Sequence, residues 1–263
     1  MNKSICSIFI LLFSCLAFSQ EALVPNIIKR ADWGARPVIT KETITEEDKL
    51  KGAGPITEYS DYGITNIDYS RFILHNTNMM YEDKHVDNTE PRGCGSKQAK
   101  YIQDYEMDEG DVKADIGYNF VIDRCGNIYE GRSLSYVPSH SGATVEAIAQ
   151  NDLTKDPDYG SIGIALISHS DEDLASEQVD AVKLLIIYYM SIYKIDKIIT
   201  HAEVKPQLED GSLLGTKLTP KGDYSALVCP GKGTVNSILN IRSYFKDNFS
   251  IPFEESEYLK LFN

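Results

Sequence analysis

Three side chains far apart in this sequence carry the donor chemistry of a metal centre. His75 follows the apolar run Phe72-Ile73-Leu74, His201 follows Ile198-Ile199-Thr200, and Cys229 opens Cys229-Pro230-Gly231. If the two runs are parallel strands of one sheet, both imidazoles emerge at the same edge. Catalytic groups gather at the carboxyl ends of strands in such sheets. A thiolate from Cys229 then completes a His-His-Cys set. Zinc takes nitrogen and sulfur donors tetrahedrally, and three protein ligands leave a fourth position for water, the mark of a catalytic rather than a structural site. Zinc also lowers the pKa of such a water to about 7. On spacing alone other readings stand beside this one. His85, His140 and His169 are competitors, no local finger motif joins the three donors, and a lone histidine at a strand end is more often a hydrogen-bonded core or rim residue.

The elements that must position these groups alternate. Asp115-Ile116-Gly117-Tyr118-Asn119-Phe120-Val121-Ile122-Asp123 runs through a Gly/Asn turn into Ile128-Tyr129-Glu130-Gly131-Arg132, which predicts a β-hairpin. Strands are also predicted at 71–74, at 161–167 in a central position because both faces are apolar, and at 197–200. Helices are predicted around 45–50, from a Ser96 cap to about Glu106, from a Ser176 cap to about Tyr193, and from a Thr234 cap to about Phe245. In the third, Val179, Val182, Leu185, Ile186 and Tyr189 make the core stripe. Trp33, the single tryptophan, anchors an N-terminal arm. Strands and helices alternate with no internal repeat, so the fold class is α/β, one domain over 27–247 with a tail over 248–263.

Composition narrows the partners. Lys+Arg 26 against Asp+Glu 39 gives a net charge of −13 over 263 residues. That mean field repels polyanions, so no nucleic-acid partner is expected. Residues 1–19 read as a signal peptide, with Lys3 as the positive region and Ile8–Phe13 as an apolar core too short to span a bilayer. No later run is long enough to span one, so an exported protein without stable membrane insertion is expected, periplasmic or secreted; a lipoprotein anchored through Cys15 is the minor alternative. After cleavage Cys94, Cys125 and Cys229 remain. An odd count in an oxidising compartment predicts one disulfide and one thiol with another task. Cys94 and Cys125 are the natural pair; three unpaired cysteines are the alternative.

Taken in order, these residues resemble the peptidoglycan recognition protein and type-2 N-acetylmuramoyl-L-alanine amidase superfamily. Ala31-Asp32-Trp33-Gly34-Ala35-Arg36 is similar to its N-terminal tryptophan motif, and Ile73-Leu74-His75-Asn76-Thr77 to its first metal-histidine strand. The hairpin, Ser161-Ile162-Gly163-Ile164-Ala165-Leu166, Thr200-His201-Ala202-Glu203-Val204 and Cys229-Pro230-Gly231 match further family segments. The resemblance implies a central mixed sheet flanked by helices, with a zinc site in a groove for peptidoglycan or muropeptides. It implies hydrolysis of the amide between N-acetylmuramic acid and L-alanine, or, as the alternative, binding without hydrolysis. By position it makes His75, His201 and Cys229 the metal ligands and Tyr118 a catalytic hydroxyl beside them. His140, Asn119 and Arg132 become candidates for substrate contact, and a monomer is expected.

Three departures from the family stand out. Its amidases often carry Thr or Lys two residues before the third ligand, where this chain has Leu227, which cannot donate a hydrogen bond. The connection between His201 and Cys229 is longer than is usual, and Cys94 would reach Cys125 in the hairpin turn rather than a nearer partner.

Overall fold

The computed structural model describes residues 24–77, 91–109, 114–141, 152–169, 171–204 and 229–252. Six strands form one sheet: β1 (Ile27–Ile28), β2 (Arg71–Asn76), β3 (Phe120–Ile122), β4 (Ile128–Glu130), β5 (Ser161–Leu166) and β6 (Lys197–Thr200). Their spatial order is β1-β4-β3-β5-β2-β6. Only β3 and β4, joined by the predicted hairpin turn, pair antiparallel; the other four pairings are parallel. The sheet is therefore mixed. β5 is buried along its whole length, as its two apolar faces require.

Side-chain alternation gives the two faces different tasks. Phe72, Leu74, Phe120, Ile122, Ile162, Ile164 and Leu166 face one way. They pack under helix α3 (Ser176–Met190), through Val182, Leu185 and Ile186, and under helix α5 (Lys232–Phe249), through Ile238, Ile241 and Phe245. Each fully buried side chain of this size stabilises the fold by about 1.5–3 kcal/mol. Val121, Ala165 and Ile167 face the other way, against Trp33 and against Ala99 and Ile102 of helix α2 (Ser96–Asp108). Trp33 donates its indole N–H to the Glu130 carbonyl at 3.0 Å, so the arm is tied to the hairpin as well as packed on it. Two further α-helices among the described residues are short, α1 (Glu46–Leu50) and α4 (His201–Val204).

Helix starts differ from the sequence expectation in one consistent way. Ser96 and Ser176 lie inside the first turn rather than capping it, and the caps are Gly95 and Ala175. Gly95 donates its amide to Asp123 Oδ2 at 2.8 Å, which fixes where α2 begins. The Ala175 amide is met by Gln178 Oε1 at 3.2 Å, reaching back from within the helix. Thr234 does not cap α5; Gly231 precedes the helix, and the Thr234 hydroxyl binds Asn76 instead. α5 runs to Phe249, and Ile251 after it is buried in the core.

Cys94 and Cys125 form a disulfide across 31 residues of sequence. It joins the start of α2 to the β3–β4 turn. Asp123 reinforces that junction by accepting hydrogen bonds from the amides of Gly95, Cys125 and Asn127 and from the Tyr129 hydroxyl. Replacing both cysteines by serine is expected to lower stability by about 2–4 kcal/mol in denaturant titrations, with the fold retained through the Asp123 contacts.

Candidate metal centre

β2 and β6 pair parallel with Leu74 opposite Thr200. The residue after each is a histidine: His75 continues β2 and His201 opens α4, and their ring centroids lie 4.6 Å apart. Both stand on the face away from α3 and α5. Cys229 arrives from the turn before α5. Its carbonyl accepts the Ala202 amide at 3.1 Å, and its Sγ accepts the Asn76 amide at 3.2 Å. An N–H aimed at the sulfur stabilises negative charge on it.

The potential ligand atoms of His75, His201 and Cys229 all lie within 4.8 Å of one another. Cys229 Sγ is 3.8 Å from His75 Nδ1. Tetrahedral zinc bonds of ~2.3 Å to sulfur and ~2.0 Å to nitrogen place two such ligands about 3.6 Å apart. The donor set and its spacing therefore fit one zinc ion. His169 lies outside this group, next to Asp171, and His85 lies outside the described residues. Leu227 and most of the connection from His201 to Cys229 also lie outside them.

Polar groups around the donors are themselves held. Asn76 donates to Ser168 Oγ at 2.7 Å and to Thr234 Oγ1 at 2.9 Å, linking the end of β2 to α5. Glu203 accepts from the Thr200 amide at 2.7 Å and pairs with Arg242 of α5, which fixes the turn that carries His201. Outer contacts of this kind orient metal ligands.

Tyr118 is half-buried, its ring edge-on to His75 with centroids 5.1 Å apart. Burial, followed by the negative charges of Glu106, Cys229 and Asp158, pushes its phenol well above the ordinary value, so it stays protonated and able to donate. All three expected substrate contacts are buried. Asn119 is buried, donating to the Arg132 carbonyl at 3.1 Å and accepting the Gly163 amide at 2.9 Å. Arg132 is buried and donates to the carbonyls of Ile116 at 2.9 Å and Val137 at 2.6 Å. The His140 side chain is enclosed beside His75, with His75 Nε2 3.0 Å from His140 Nδ1. Gly163 makes room for it, since a Cβ at that position would lie 2.2 Å from the ring.

Asp158 and Glu106 are near the centre but were not singled out from sequence. Each sits in a polar stretch or on a polar helix side where acidic residues are ordinarily solvated, so composition and period carry no sign of their burial. Burial raises Asp158, but the facing His140 and the amides of Ser141 and His140 outweigh it and leave the carboxyl below its ordinary value. Glu106 accepts the Gly117 amide at 2.6 Å, next to Tyr118.

Residues 66–221 match the N-acetylmuramoyl-L-alanine amidase family. The match covers more than half of the sequence, and the chain belongs to that family. Peptidoglycan-recognition protein SC2 of Drosophila simulans is 28% identical over 183 residues, 67% of this chain and 74% of that protein. Among solved structures, bumblebee PGRP-SA aligns with a TM-score of 0.52 at 19% identity, over 89% of this chain and 100% of its own. A point mutant of Drosophila PGRP-LB in complex with tracheal cytotoxin aligns with a TM-score of 0.51 at 20% identity, over 89% and 100%. These likenesses establish the fold.

Glu106 makes stability pH-dependent. Burial pushes its carboxyl up to about 7 from 4.5, against the opposing pull of the Gly117 amide and Arg132. The folded chain thus holds this proton more tightly than the unfolded one. The resulting stabilisation is full below about pH 4.5 and is lost as pH rises through about 7, on the order of 3 kcal/mol at most. Urea titrations at both ends of that window should show a smaller loss in Glu106→Gln than in the parent.

Proposed function

We propose that the chain is a zinc-dependent N-acetylmuramoyl-L-alanine amidase that hydrolyses the amide between N-acetylmuramic acid and L-alanine in peptidoglycan or muropeptides. The observation that carries this reading is the convergence of two imidazoles and one thiol within 4.8 Å, in a member of the amidase family. His75, His201 and Cys229 would hold the ion. Bound zinc supplies Lewis acidity toward the amide carbonyl and acidifies a water.

The remaining chemistry belongs to side chains. Tyr118 stands beside His75 with a protonated hydroxyl, placed to donate to oxygen as charge builds on the scissile carbonyl. A fixed donor in a water-poor site acts on the developing oxyanion without needing to reorient. Asn119 and Arg132 hold the strand ends around Tyr118, and on their geometry they act on the framework more directly than on substrate. The role of the protein outside a cell follows from the apolar leader: we read it as exported, acting as a monomer, and among the described residues no helix is long and apolar enough to cross a membrane.

A second reading has support in the relatives, which are named as recognition proteins. In it the same site binds peptidoglycan fragments without cleaving them. The Cys229 thiol beside two histidines favours the first reading, because a receptor has no need of a third donor.

Two measurements separate them. Mass spectrometry of muropeptides after incubation should show free peptides beginning with L-alanine and the matching glycans; binding of a fragment such as tracheal cytotoxin with no such products would favour the receptor. Elemental analysis should give one zinc per chain, lost in Cys229→Ala. Tyr118→Phe should keep its zinc and its fold while kcat falls by about 10²-fold, the scale of removing one oxyanion donor. Unchanged turnover would remove Tyr118 from the mechanism.

A further inference from the structure

Behind His75 lies a line of hydrogen bonds that the proposed hydrolysis does not use. His140 Nδ1 is 3.0 Å from His75 Nε2, and also 3.0 Å from Ser141 Oγ. On the far side of the His140 ring, Nε2 is 3.3 Å from Ser161 Oγ. Ser161 Oγ in turn donates to the Asp158 carbonyl at 2.7 Å. Asp158 closes the arrangement. Its Oδ2 accepts the backbone amides of His140 at 2.9 Å and Ser141 at 3.1 Å. Its Oδ1 stands 3.0 Å from His140 Nδ1, at ion-pair distance but without hydrogen-bond alignment. The Asp158 and His140 side chains are 2% and 0% exposed, so water does not dilute these contacts.

His75 meets the His140 ring through Nε2, and its other nitrogen, Nδ1, is the one turned toward Cys229, 3.8 Å from Sγ. The contact with His140 therefore sets which edge of the His75 ring faces the other donors.

We propose that Asp158 and His140 form a positioning pair that fixes the orientation of the His75 ring, with Nε2 held toward His140 and Nδ1 toward Cys229. The inference rests on reading His75 as a metal ligand. In this arrangement Asp158 pins the backbone that carries His140 and sets its carboxylate against the His140 ring. Neither residue touches the reacting atoms. The pair sets the affinity and symmetry of the metal site rather than a proton transfer to substrate.

The test compares three variants of the mature chain by zinc affinity in chelator competition and by the visible absorption of the cobalt(II)-substituted protein. His140→Leu removes the ring nitrogen that meets His75 and should weaken zinc binding by about 10- to 100-fold, the range for lost outer-layer partners, with a shifted cobalt spectrum. His140→Gln restores a polar partner and should recover much of the loss. Asp158→Asn keeps an oxygen for the two backbone amides while removing the charge; it should weaken zinc binding by about 10-fold with the metal-free melting temperature little changed, and it stands alone as a test if the leucine variant fails to fold. Parent-like zinc affinity and cobalt spectra in His140→Leu or Asp158→Asn would overturn the inference, as would equal losses in the leucine and glutamine variants, which would indicate packing alone. A parent chain that binds no zinc would remove the metal reading and this inference with it, whereas a zinc-binding parent with unaffected variants would remove only the inference.

Discussion

The parallel pairing of β2 with β6 is the constraint on which the centre depends. Leu74 faces the apolar side of the sheet and Thr200 lies opposite it, so His75, the next residue of β2, turns to the other side, and His201 opens α4 beside it. A slip of one residue would send one imidazole toward α3 and α5 and leave the other alone, because side chains alternate with a period of two. The apolar contacts of Phe72, Leu74 and Ile198 under the two long helices thus fix the register that brings the rings together. The third donor comes from a different device. Cys229 is held at the edge by two backbone contacts, one to the amide of Asn76 and one to that of Ala202, so the residues following both histidines grip the cysteine.

The two faces of the sheet divide stability from chemistry. Under α3 and α5 the packing is apolar almost throughout. On the opposite face the residues at the site edge are buried and polar, among them His75, Asn119 and His140. Burying polar groups is costly unless each finds a partner. Here the partners are short side chains and backbone groups from several loops: Asp158 for the 140–141 amides, Glu203 for Thr200, Asn119 for Gly163. Gly163 shows how closely these layers approach, because only the absence of a side chain lets the His140 ring lie on the central strand.

Much of this was legible in the sequence, and the reasons for success and failure differ by residue. Apolar runs of four to six residues specify strands through burial, and a histidine at the end of such a run keeps its place whatever the loops do. The hairpin, the central position of β5, the three donors as neighbours and the Cys94–Cys125 bridge are of this kind. The helix caps are not. Ser96, Ser176 and Thr234 have the right side chains, but where a helix starts was decided by tertiary partners such as Asp123 and Gln178. For Asn119, Arg132 and His140 a motif supplies the position, while their burial is set by hydrogen bonds both within the hairpin region and from β2 and β5. Asp158 was least visible, since a carboxylate within a polar loop carries no local sign that the loop folds under it.

The separation of the donors along the chain has a consequence for assembly. One donor comes from the first third of the sequence and the last from the turn before the final long helix, so no fragment lacking either end can present the trio. Bringing such distant residues together requires the entropy of closing large loops to be met. Assembly of the three donors therefore reports on completion of the whole fold.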